Sequence, residues 1–164
     1  MSADSNTPQS IVEQDVKVEL TYQSLNTREI MESVKSPKAG AIVLFAGTTR
    51  DNFDGKNVAH LEYSAYIPRA LQTMLSIAKQ VKARHGLNIV SIVHRLGVVP
   101  IMDESILIAV SAPHRQAAWK GGEEALELCK EKVEVWKLEE FGGHEGGVWR
   151  SNRDGVQVQE VDGD

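Results

Sequence analysis

The sequence predicts an α+β fold, a mixed sheet with two long helices packed against it. Three observations carry the α+β expectation. Segments in which apolar and polar residues alternate are interspersed with two long stretches at helical spacing. The turn PIMDE separates two strand-like runs closely enough for a hairpin, so part of the pairing is antiparallel. The chain has 164 residues, 41% of them hydrophobic and 25% charged, which suits one globular domain with a real core.

The elements follow in order. Residues 1–14 hold almost nothing to bury and are expected to be a disordered tail. Val18, Leu20 and Tyr22 alternate with polar residues, as in a half-buried strand. Asn26 and Glu29 resemble a capping box that opens a short helix to about Lys35, ended by Pro37 and Gly40. AIVLFAG reads as a strand buried on both faces. RDNFDGKN is a turn-rich connection, and VAHLEYSAY the next strand. Pro68 suits a first helical turn. Leu71, Leu75, Ala78 and Val81 keep helical spacing, and Gly86 is placed to cap the end. NIVSIVHRLG and SILIAVSA are strands on either side of the PIMDE turn.

A second long helix begins near His114, with Ala118, Ala125, Leu126 and Cys129 on one face. It contains Gly121-Gly122, each costing on the order of 1 kcal/mol relative to alanine. Past Lys132 the pattern changes to the alternation VEVWKLEEF, read as a strand. GGHEGG is a flexible loop and GVWRS a last short strand. A single domain is expected over residues 15–153, with a flexible acidic tail at 154–164.

Composition narrows the function. The net charge is −5, from 18 basic and 23 acidic residues. That argues against a duplex nucleic-acid binder but leaves room for a small anion in a local basic pocket. One cysteine, Cys129, can make neither an intramolecular disulfide nor a structural zinc site, and its place on the apolar helix face suits a core residue. The sequence has no apolar run of about 18 residues, and its N-terminus resembles neither a signal nor a transit peptide, so a cytoplasmic protein is expected. His60, His85 and His144 have no ligand spacing, and HExxH, GxGxxG, Walker and GxSxG patterns are missing. Neither a metal nor a cofactor is expected.

Three groups of residues could carry chemistry. Arg50 follows the apolar strand: it is either a solvated strand end or a ligand-binding group on a loop held by a rigid element. SAPHR, residues 111–115, joins a strand to a helix. The free amides of the helix start, with His114 and Arg115, could bind an anion, or His114 could pack and Arg115 be solvated. Lys130, Lys132 and Lys137 read either as surface lysines or as a cluster whose crowding lowers proton affinity. One continuous helix would put Lys130 and Lys137 on one face about 10 Å apart; a strand starting near Val133 would leave their spacing to the turn. His94-Arg95 closes another strand.

GAIVLFAGTTRD, HRLG, VSAPHRQAAW and LCKEKVEVWK occur in the order and at the spacing of the large, catalytic subunit of molybdopterin synthase, and the resemblance spans roughly Val16 to Arg150. It implies the hammerhead fold and a sulfurtransferase of molybdenum cofactor biosynthesis. Such an enzyme converts cyclic pyranopterin monophosphate (precursor Z) into molybdopterin by installing a dithiolene. The sulfur comes from the C-terminal thiocarboxylate of a small ubiquitin-like subunit ending in Gly-Gly. Two large subunits form a central homodimer within a heterotetramer. By resemblance, Lys130 and Lys137 are catalytic, and Arg50, His114, Arg115, Lys130 and Lys137 bind substrate together with positions Leu138 and Glu139. Leu138 departs from the basic residue common in the family, and the GGHEGG loop is unusually rich in glycine. Two rival readings keep the fold without turnover: an anion-binding module, and a scaffold that only docks a ubiquitin-like protein. Neither needs both lysines.

Overall fold

The computed structural model describes residues 7–141, 148–151 and 157–160, those from 140 onward as backbone alone. The described elements are β1 (Gln9–Glu13), β2 (Val16–Thr21), α1 (Thr27–Ser33), β3 (Ala41–Thr48), β4 (Asn52–Phe53), β5 (Lys56–Ala65) and α2 (Ile67–His85). They continue as β6 (Ile89–Arg95), β7 (Gly97–Pro100), β8 (Glu104–Ala112), α3 (Arg115–Lys132), β9 (Val135–Phe141), β10 (Val148–Ser151) and β11 (Gln157–Glu160). One sheet has the order β1-β2-β6-β8-β3, and the second the order β11-β10-β9-β5-β4, with β7 also paired to β5. Among the described pairings β2–β6 is parallel and the rest are antiparallel. The fold is therefore α+β with a mixed sheet and two long helices, as the sequence predicts.

Side-chain parity explains the layering. Along a strand successive side chains face opposite ways. Val90 and Ile92 of β6, with Ile106, Ile108 and Val110 of β8, enter the main core with α2 and α3. Val93, Leu107 and Ala109 point to the other face and meet Ile30 and Val34 beside α1. Both faces of the central strands are covered, which is why β8 reads as one apolar run.

The helix boundaries follow local chemistry. Asn26 Oδ1 accepts a hydrogen bond from Glu29 N at 3.1 Å, capping α1. Pro68 lies in the first turn of α2, and Gly86, at φ 63°, ends it in the left-handed conformation that glycine adopts without strain. The glycine pair in α3 marks close contact. A Cβ on Gly121 would sit 2.8 Å from Leu87 Cδ1, and one on Gly122 3.2 Å from Val43 Cγ1. The Arg84–Glu124 ion pair adds a tie between α2 and α3.

Three expectations are corrected. AIVLFAG is less buried than expected: β3 is the edge of its sheet, and although Val43 and Phe45 pack on one core and Ile42 and Leu44 on the other, Ala41–Phe45 are each only part-buried. The residues before 15 are not all unstructured, because β1 pairs with β2, with Ile11 packed against the core. In the C-terminal tail, Gln157–Glu160 pair with β10 as β11. In β1 backbone pairing organises a segment that is mostly exposed. The GGHEGG loop and residues 1–6, 152–156 and 161–164 lie outside the described residues.

Gly40 enters β3 under constraint. Its N–H donates to the Ala112 carbonyl at 3.0 Å, and a Cβ there would lie 2.6 Å from the Pro113 carbonyl oxygen. Gly40→Ala should cost about 1–3 kcal/mol, the scale of overpacking, measured by urea unfolding. Unchanged stability would mean that the edge strand shifts freely.

Candidate active site

A cavity of about 490 Å³ opens where β3 and β6 end, β8 begins, α3 ends and the core-side face of the β5–β9 pair passes. Phe45, Thr48 and Arg50 line it from β3 and the residues just after, His94 from β6, and Ser105 and Ile106 from β8. Leu126 and Lys130 come from α3, Leu61 and Tyr63 from β5, and Lys137 and Glu139 from β9.

Element geometry aims each group. Leu126 and Lys130 are four residues apart, one turn on the same helix face. Lys137 and Glu139 are two apart on a strand and share a face. Their cross-strand partners are Tyr63 and Leu61, which completes a four-residue wall. Leu138 lies between them in register with Glu62 and is buried, at 6% exposure. His94 has the parity of Val90 and Ile92, so it faces the same side as the main core and reaches the cavity at the strand end.

Charge and burial are set against each other here. Arg50, Lys130 and Lys137 make the cavity cationic, and Glu139, at 2% exposure, puts one carboxylate among them. Phe45, Leu61, Ile106 and Leu126 make part of the wall apolar, so an anion inside is less screened than in water. His94 is held neutral. Burial lowers its pKa to about 4, opposed by the hydrogen bond to the Arg95 carbonyl. That bond, 2.8 Å from Nδ1, is one in which the ring nitrogen donates, because a carbonyl can only accept. Nδ1 therefore carries the proton and Nε2 the lone pair. The imidazole packs edge-on against Tyr63, with centroids 4.8 Å apart.

The residues singled out from sequence divide into two sets. Arg50, Lys130, Lys137 and Glu139 meet in the cavity; Leu138 sits behind its wall. His114 and Arg115 are exposed at the start of α3 and do not line it. The reason is topological. β8 starts at the cavity and runs nine residues away from it, roughly 30 Å at 3.3 Å per residue, before α3 turns back. Lys132 is exposed on the last turn of α3. Cys129 is buried, and burial pushes its thiol pKa up to about 12, which leaves it unreactive. Among the described residues no three His, Cys, Asp or Glu side chains are grouped to hold a metal. His94, Tyr63, Thr48 and Ser105 were not foreseen in the cavity; for His94 the parity of the strand NIVSIVH was the available signal.

An α+β fold of this topology is shared by several solved structures. The chain belongs to the family of MoaE proteins, the catalytic subunits of molybdopterin synthase: the family model described as "MoaE protein" matches residues 20–132. It is 63% identical over 154 residues to the molybdopterin synthase catalytic subunit of Sclerotinia sclerotiorum, covering 94% of this chain and 79% of that protein. The crystal structure of molybdopterin synthase from Staphylococcus aureus superposes with a TM-score of 0.75 at 36% identity, covering 80% of this chain and 94% of that one. A complex of subunits 1 and 2 of the molybdopterin-converting factor from Helicobacter pylori shares the fold, with a TM-score of 0.64 at 24% identity over 74% of this chain and 83% of that one.

His94 predicts a pH dependence of stability. Its folded pKa of about 4 lies below the ordinary 6.5. Above pH 6.5 neither folded nor unfolded chain protonates it, and its contribution to stability is complete. As pH falls from 6.5 towards 4 the unfolded chain takes up a proton that the folded chain refuses, and stability drops, by on the order of 3 kcal/mol in all. Urea unfolding between pH 7.5 and 4.5 should show this slope, and His94→Gln should flatten it. Equal slopes in the two proteins would mean that His94 is not held neutral.

Proposed function

We propose that the cavity is the active site of a sulfurtransferase that carries sulfur from the C-terminal thiocarboxylate of a small ubiquitin-like subunit to cyclic pyranopterin monophosphate, forming the dithiolene of molybdopterin. The observation that carries this reading is the convergence of Arg50, Lys130 and Lys137 on one half-apolar cavity in a chain of this family. The Arg50 guanidinium offers a planar fork of donors to the substrate phosphate. Lys130 meets the carbonyl end of the incoming Gly-Gly tail and moves protons. Lys137 stabilises negative charge as the thiocarboxylate attacks, and Glu139 on the same strand face supplies the counter-charge. Phe45, Leu61 and Leu126 keep the tail and the reacting carbons from water.

His114 and Arg115 fit this reading only through a second copy of the chain. Fifteen residues of helix, about 22 Å, separate Arg115 from Lys130, so within one subunit they cannot hold the same ligand. A homodimer that lays the start of one α3 against the other subunit's cavity makes them additional phosphate ligands, with one small subunit at each end of the resulting heterotetramer. Position 138 then contributes backbone and core packing, since its side chain is buried. The catalytic domain extends beyond the expected 15–153 to take in β1 and β11, which pair into its sheets. No helix among the described residues is long and apolar enough to cross a membrane, and cytoplasm is the proposed compartment.

Single-turnover formation of dithiolene, with thiocarboxylated partner and precursor, tests the roles. Lys130→Ala should lose on the order of 100-fold or more, the scale of one acid–base group. Lys130→Arg should not rescue it, because guanidinium stays protonated. Lys137→Arg should retain more activity than Lys137→Ala. A fully active Lys130→Arg would reduce Lys130 to a fixed charge; a parental protein that binds partner and precursor without product would leave only a binding module. Mixing Arg115→Ala and Lys130→Ala proteins should restore activity that neither has alone, through dimers with one intact site. Failure of that mixture to recover activity, with dimer exchange verified, would remove the second-copy assignment.

A further inference from the structure

The cavity uses Arg50 but leaves unexplained what holds it, since Arg50 lies beyond the last residue of β3 on an exposed segment. The residue before it is the anchor. Thr49 is buried, at 3% exposure. Its N–H donates to the Asp103 carbonyl at 3.1 Å, and its own carbonyl accepts from Met102 N at 2.9 Å. Its hydroxyl donates to the Val99 carbonyl at 3.4 Å. The segment that carries Arg50 is therefore pinned through Thr49 to the turn between β7 and β8.

Within that turn, Met102 contributes no buried side chain. Met102 adopts φ 74°, a left-handed conformation that costs a residue with a Cβ, and its side chain is 81% exposed, so burial does not compensate. Asp103 N donates to the Pro100 carbonyl at 3.1 Å. Beyond its backbone bonds to Thr49, the turn has an ionic attachment: Arg95 Nη1 lies 3.1 Å from Asp103 Oδ2. The Arg95 side chain is only 13% exposed, and its Nε, buried, has no hydrogen-bond partner, so its orientation depends on Asp103. The Arg95 carbonyl in turn accepts the His94 Nδ1 bond at the cavity wall.

We propose that Arg95 and Asp103 are positioning residues for the reaction: their ion pair fixes the turn that holds Thr49, and so determines where Arg50 presents its guanidinium. This inference rests on the reading of Arg50 as the phosphate ligand. Neither Arg95 nor Asp103 lines the cavity, and both act at one remove. Losing the pair leaves Lys130 and Lys137 in place and loosens Arg50, so binding of the phosphorylated substrate suffers more than the chemical step.

The experiment is steady-state kinetics of the complete two-subunit enzyme with Asp103→Ala, the milder Asp103→Asn, Arg95→Lys and Arg50→Ala, plus the Arg50→Ala/Asp103→Ala double variant, with thermal melting recorded for each. Asp103→Ala should raise KM for the pyranopterin about tenfold, near the loss of one charge-assisted hydrogen bond, with kcat changed less than about twofold. Arg95→Lys and Asp103→Asn should fall between it and the parent. In the Arg50→Ala background Asp103→Ala should add nothing to KM, because the group it positions is gone. A purely structural role would instead lower the melting temperature and multiply with Arg50→Ala. If Arg50→Ala itself leaves KM unchanged, the assignment of Arg50 falls and this inference with it. If Arg50→Ala raises KM while both Asp103 variants match the parent, or the two effects multiply, the positioning role alone is overturned. Should Asp103→Ala fail to fold, Asp103→Asn and Arg95→Lys carry the same comparison.

Discussion

Helix α3 packs closely at two adjacent positions, where an added side chain would force its neighbour to shift. Gly121 faces Leu87 at the exit of α2, and Gly122 faces Val43 of β3. Because the helix seats there, its last turns come down beside the ends of β3 and β6, and Leu126 and Lys130 are delivered to the cavity. Glycine in a helix interior lowers helical propensity, so the pair gives up local stability for a tertiary contact. The contacts of α2 with α3, including the Arg84–Glu124 pair, keep the seat from sliding.

The second sheet supplies the opposite wall by a different constraint, strand register. Tyr63 lies across from Lys137 and Leu61 across from Glu139. A slip by one residue would replace Lys137 and Glu139 in the cavity with Trp136 and Leu138. Buried charge is costly unless it is compensated, and Glu139 at 2% exposure is tolerated in a cavity that also gathers Arg50, Lys130 and Lys137. The cationic character needed for an anionic ligand and the carboxylate buried among those cations are thus parts of a single arrangement.

Much of this was legible in the sequence because it depends on local periodicity. The alternation in VEVWKLEEF already separates Lys137 and Glu139 from Leu138. The capping pair of α1, Pro68 and Gly86 mark helix limits close to those found. What could not be read depends on partners distant in the chain. AIVLFAG and SILIAVSA look alike, yet one forms a sheet edge and the other its centre, since a strand's neighbours are not written in its own residues. The same holds for β1 and β11, which are organised by pairing. The reading of Lys130 and Lys137 left helix and strand open; α3 ends at Lys132 and β9 begins at Val135. The resemblance groups His114 and Arg115 with the lysines, but within one chain the course of β8 and the length of α3 set them apart.

The parallel pairing of β2 with β6 bears on how the chain reaches this state. Val16 finds its partner in Val90, and β3 finds β8 only after α2, β6 and β7 have been made. Closing such long loops costs entropy before any contact rewards it. During synthesis β2 and β3 emerge long before the strands that will cover them. Their apolar residues then remain exposed to other nascent chains, so the yield of folded protein at a ribosome depends on how quickly residues 89–112 follow.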